Sequence, residues 1–95
     1  MSSFEQAIWA MKPDPDHAQI LLEIDSDLDE LSTVLEILNS ENYGPVTYRI
    51  LVKTRPVIVL IYLPSPDMRM AVLRLSEAGF IKISGMNAIK HSETY

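Results

Sequence analysis

Few residues in this chain are placed to do chemistry, and the densest group is acidic. Asp25, Ser26, Asp27, Leu28 and Asp29 run together, with Glu36 where a calcium loop would carry its last carboxylate. Oxygen donors at positions one, three, five and twelve are what such a loop supplies to a hard cation. The loop also needs a glycine at its sixth position for the sharp turn, and Glu30 stands there. From Leu28 onward the apolar residues follow a helical period, which points the carboxylates outward in different directions. The stretch reads as the acidic start of a helix, and no metal site is expected. His17 and His91 stand in linker and tail sequence, without the cysteine or paired-carboxylate spacing of a ligand set.

Catalytic groups are equally sparse. The 95 residues include no cysteine, so disulfides, thiolate ligands and Cys nucleophiles are all excluded. There is no Gly-x-Ser-x-Gly elbow, no phosphate-cradling glycine loop and no histidine beside a nucleophile. Ser26 and Ser65 are explained as helix caps. Five scattered methionines read as gap-fillers in a core. The chain is expected not to be an enzyme and to carry no cofactor.

Eight Lys and Arg stand against thirteen Asp and Glu, a formal net charge of −5. A field of that sign opposes nucleic acid and anionic membranes. Arg49, Lys53, Arg55 and Lys82 form at most a modest basic patch. Modules that read RNA on a sheet stack bases on central aromatics, whereas here Tyr62 stands alone among aliphatics. Neither membrane nor nucleic acid is an expected partner. The opening MSSFEQAIW lacks a basic segment ahead of an apolar one, as a secretory leader would have. The longest apolar run is too short to span a bilayer, and a cytoplasmic protein is expected.

The elements that must position any site follow from periodicity. With 47% hydrophobic and 22% charged residues, the composition is that of a folded domain. Residues 57–63, VIVLIYL, are seven consecutive apolar residues between Pro56 and Pro64, rich in β-branched side chains. They form a strand covered on both faces, hence central in its sheet. Residues 18–24, AQILLEI, form a second apolar strand, with Ile20, Leu22 and Ile24 on one face and Leu21 and Glu23 on the other. Leu28, Leu31, Val34, Leu35 and Leu38 predict a helix over 28–42, stopped by Gly44-Pro45. Residues 46–53 alternate, with Val46, Tyr48, Ile50 and Val52 on one face and Thr47, Arg49, Leu51 and Lys53 on the other.

Ser65-Pro66-Asp67 predicts the start of another helix, and Gly79 its end. A last strand is expected over 80–84, resuming through 86–89. Ahead of all this, Ser3 with Gln6 can cap a short helix whose stripe is Phe4, Ala7, Ile8 and Met11, with Trp9 beside it. Lys12-Pro13-Asp14-Pro15-Asp16 ends that helix. The organisation expected is an N-terminal helix and proline-rich linker over 1–17, a domain over 18–90 and a polar tail over 91–95.

A helix followed by βαββαβ predicts an α+β sandwich of the ferredoxin-like kind. Two interleaved split βαβ units give four antiparallel strands in spatial order 4-1-3-2, with two helices on one face. The opposite face then carries Leu21, Leu51, Ile58, Leu60 and Tyr62, too apolar to be left in water. The N-terminal helix, a second copy or a ligand must cover it. A homodimer is the preferred cover, with the N-terminal helix helping. Leu21, Arg49, Leu51, Ile58, Leu60 and Tyr62 form its interface, and Glu23, Lys53 and Lys82 sit at the rim.

Across residues 20–79 the chain resembles the ACT domain, a small regulatory module of amino-acid metabolism. The resemblance is carried by ILLEID, by VLEILNSENYGPVTYRI and by VLRLSEAGF. It implies a ligand site at the turn between the first strand and the following helix, where the family has Asp-x-Pro-Gly. That turn here is Asp25-Ser26-Asp27-Leu28, so Asp25 matches while Asp27 and Leu28 stand at the Pro and Gly positions. On the resemblance, Asp25, Ser26, Asp27 and Leu28 are the ligand-binding candidates. The function expected is a non-enzymatic regulatory module sensing a small ligand, such as an amino acid, through a dimer. The alternative is a protein-interaction or assembly domain with no small ligand.

Overall fold

The computed structural model describes residues 3–24, 29–41, 43, 46–54, 56–64 and 68–88. Its elements are α1 (Ser3–Ala10), β1 (Ala18–Ile24), α2 (Asp29–Ser40), β2 (Thr47–Val52), β3 (Val57–Leu63), α3 (Arg69–Glu77) and β4 (Ile83–Met86). The strands form one antiparallel sheet in the order β2-β3-β1-β4, which read from its other edge is 4-1-3-2. The two most apolar strands are therefore the central pair. In β1 every residue but Glu23, and in β3 every residue but Tyr62, is buried. Both strands carry apolar side chains on alternate faces, so burial on both sides is what holds them in the middle.

One face of the sheet makes the larger core. Ile20, Leu22 and Ile24 of β1 and Val57, Val59, Ile61 and Leu63 of β3 pack with Leu31, Val34 and Leu38 of α2 and Ala71 and Leu75 of α3. The other face makes a smaller cluster of Leu21, Ile58 and Leu60, closed by Phe4 of α1, with Ala7, Met11, Val52 and Tyr62 around it. Among the described residues no helix is long and apolar enough to cross a membrane.

Several boundaries differ from expectation, each for a local physical reason. The register of β2 on β3 shifts between Ile50, opposite Val59, and Val52, opposite Ile58. A bulge of this kind places two successive side chains on similar bearings and breaks the period of two. Val52 accordingly packs with the α1 cluster and not with the α2–α3 core where strict alternation would put it. The start predicted for α3 at residues 65–67 lies outside the described residues, and the helix itself opens at Arg69. Its N-cap is Met68, which has no side-chain cap of its own. The Met68 N–H donates instead to Asn87 Oδ1 at 3.3 Å, from the residue that follows β4.

At the other end of α3, Gly79 adopts φ 105°, where a side chain would be strained. Gly79 N–H bonds to the Ser76 carbonyl and Phe80 N–H to the Leu75 carbonyl, both at 3.1 Å. This double closure satisfies the last carbonyls of the helix and tucks Phe80 against the core. Phe80 is thus part of a helix cap, which is why β4 begins at Ile83 and not at residue 80 as alternation predicted.

Candidate functional site

The side chains that converge most closely lie where the arm of α1 and residues 11–17 crosses the sheet. Phe4, 8% exposed, anchors the arm by filling the gap above Leu21, Ile58 and Leu60. The stripe that reaches the sheet is Phe4, Ala7 and Met11; Ile8 and Trp9, expected with it, are exposed. An eight-residue helix presents only one narrow face, which Phe4 and Ala7 occupy, with Met11 continuing it just past the helix end.

The linker is pinned by polar contacts that follow from its sequence. Asp14 Oδ1 accepts hydrogen bonds from the backbone N–H of Asp16 at 2.8 Å and of His17 at 2.9 Å. This is the Asx turn that an aspartate between two prolines is suited to form. His17 Nδ1 lies 3.3 Å from the same oxygen. The Asp16 N–H holds the Asp14 carboxyl below its ordinary range; burial opposes it, and the His17 contacts add smaller effects in the same direction as the Asp16 N–H. Gln19, a buried polar residue in β1, donates through Nε2 to the Lys12 carbonyl at 2.7 Å. His17 meets Tyr62 edge to face, with ring centroids 6.4 Å apart.

Between this arm and the sheet lies a cavity of about 450 Å³. Its apolar surface comes from Met11 and Ala7 on the arm and from Leu51 and Leu60 on the sheet. Its polar groups are Lys12, Asp14, Gln19, Arg49 and Tyr62. The oxygen of Asp14 and the amide of Gln19 are committed to linker backbone. Among the described residues neither Lys12 nor Arg49 has an ion-pair partner. The bulge matters here, because it lets Leu51 line the cavity while Val52 joins the cluster beside it.

Of the residues expected at an interface, Leu21 and Ile58 have no exposed surface, and Leu60 is nearly covered, all within the single chain. Arg49 and Leu51 are exposed and Tyr62 is half-buried. The intramolecular cover, expected only to assist a partner, takes the centre of this face. Four of the six, Arg49, Leu51, Leu60 and Tyr62, come together around the cavity. Sequence reasoning missed Lys12, Asp14 and Gln19. The turn-forming Pro-Asp-Pro-Asp run was the available signal for Asp14, whereas nothing local marks Lys12.

A second cavity, about 320 Å³, is lined by Glu23, Glu30 and residues 79–82. Glu23 has a side chain only 6% exposed and lies 3.5 Å from Lys82 Nζ. Lys82 belongs to the β4 edge and Arg49 to the β2 edge, so the expected basic patch is divided across the sheet. Arg55 lies outside the described residues, as do the candidates Asp25, Ser26, Asp27 and Leu28 and the tail histidine, His91. Among the described residues no three histidines or carboxylates gather to hold a metal ion. No protein-family model, curated protein or solved structure matches the chain.

Proposed function

We propose that this chain is a non-enzymatic regulatory module that binds a small ligand. The observation that carries the reading is the cavity of about 450 Å³ under the α1 arm, with apolar residues and the cationic Lys12 and Arg49 among its lining. Small-molecule sites are typically concave and mainly apolar, with a few placed polar groups, and span roughly 300–1,000 Å³. The arm above it, held on the sheet by the Phe4 anchor and by the Gln19 contact to the Lys12 carbonyl, can report occupancy by docking more or less firmly. The α+β sheet is compatible with a ferredoxin-like sandwich. The ACT-like version of the reading places an amino acid at residues 25–28 and pairs two chains around it.

A thermal-shift screen with amino acids, nucleotides and organic acids tests the proposal. A ligand that binds only the folded chain stabilises it by about 2.7 kcal/mol at a hundredfold excess over its Kd. At least one class is expected to raise Tm, and a flat screen would favour the second reading. That reading, an assembly domain with no small ligand, draws on the outer surface of α1, where Trp9 is 80% exposed and Ile8 stands beside it.

A further inference from the structure

We infer that the cavity under the α1 arm takes a small amphipathic monocarboxylate, a single carboxylate on a compact hydrocarbon body, with Arg49 and Lys12 receiving the charge. The inference rests on the small-ligand reading and adds the chemical class. In a chain with eight Lys and Arg against thirteen acids, two of the cations line this one cavity. Among the described residues neither is neutralised by a carboxylate. This contrasts with Lys82, which lies against Glu23, and with Arg74, which lies 2.9 Å from Glu77 and 3.5 Å from Glu41. Arg49 offers a planar fork of N–H donors suited to a carboxylate, and Tyr62 lines the same cavity.

The rest of the wall limits the ligand's charge and shape. Asp14 and the last turn of α1, with Ala7 and Ala10, also border the cavity. Both the carboxylate and the carbonyl end of a helix repel negative charge. A phosphate dianion is disfavoured on that count, while one carboxylate matched by two cations is not. Leu51, Leu60 and Met11 then need a hydrocarbon partner, which inorganic anions and short polar acids lack.

The test is isothermal titration of the full chain with octanoate and phenylacetate, each against its neutral amide and against inorganic phosphate. The acids are expected to bind about tenfold more tightly than the amides, the loss typical of one charge-assisted hydrogen bond. Phosphate is expected to show no heat of binding. Arg49→Gln should abolish the preference for acid over amide, and Lys12→Gln should reduce it. Both positions are exposed, so the free variants should keep the wild-type Tm. Should either variant lose it, titration of wild-type protein with acid against amide decides alone. Equal binding of acid and amide, or binding of phosphate as tight as octanoate, would overturn the monocarboxylate inference while leaving a ligand site in place. An acid preference that survives Arg49→Gln in a folded variant would place the anion elsewhere and overturn it too. No binding of acids or amides, together with a flat thermal-shift screen, would remove the small-ligand reading itself.

Discussion

Gly85 shows how much a single atom decides here. It stands in β4 opposite Ile20, and a Cβ built on it would run into Sδ, Cε and Cγ of Met68. Met68 is also the N-cap of α3 and packs against the larger core, so its flexible end must shift within that packing to make room. Gly85→Ala should therefore destabilise the chain by about 1 kcal/mol, as mild overpacking does, despite the better strand propensity of alanine. The expected readout is a lower urea midpoint with an unchanged slope. In a Met68→Ala background the same substitution should be close to neutral. A full penalty in both backgrounds would mean that the methionine is not what the new methyl meets.

Among the elements, α1 is held on the smaller of the two apolar clusters. Too short to be stable alone, it forms because Phe4 finds a pocket over β1 and β3. Phe4→Ala should cost about 3 kcal/mol of α1 docking, the low end for a buried phenylalanine because the cluster lies at the sheet's outer face. The loss should appear as faster amide exchange in residues 3–10, with β1 and β3 still protected by the larger core. Exchange unchanged in α1 would show that the polar contacts at Asp14 and Gln19 hold the arm without the ring. The Glu41–Arg74 contact beyond the end of α2, and the Arg74–Glu77 pair within α3, hold no comparable position, since the side chains are partly exposed to solvent.

For the whole molecule, the question is what the cover leaves bare. With Leu21 and Ile58 closed off, the exposed large apolar residues near the arm and the β2 edge are Ile8, Trp9, Tyr48 and Leu51. The homodimer proposed with the regulatory reading would use this outer surface. Sedimentation velocity of the wild-type chain at micromolar concentration should then show a concentration-dependent shift toward a dimer. Trp9→Ser should weaken it without lowering Tm, since that side chain already faces water. A sharp monomer boundary across the concentration range would show that the α1 arm alone is sufficient cover.

Local pattern was enough to read the frame of the molecule. The apolar runs of β1 and β3 match their observed bounds because strands buried on both faces have no polar alternation to blur their ends. Their central place in the sheet follows from the same burial. The assignment of Leu21, Ile58, Leu60 and Tyr62 to the face opposite α2 and α3 was also legible, since it needs only a period of two. Periodicity stops being informative where a residue's partner is distant in the chain. The bulge that moves Val52 depends on how β2 lies along β3, and the cap on Met68 is supplied by Asn87. Phe80 leaves the strand pattern because α3 closes on it. The candidate site divides the same way. Arg49, Leu51, Leu60 and Tyr62 were visible as one face of a sheet. Lys12 joins them only because Phe4 docks α1 and Gln19 holds the linker backbone, and that meeting of an arm with a distant strand belongs to the tertiary structure alone.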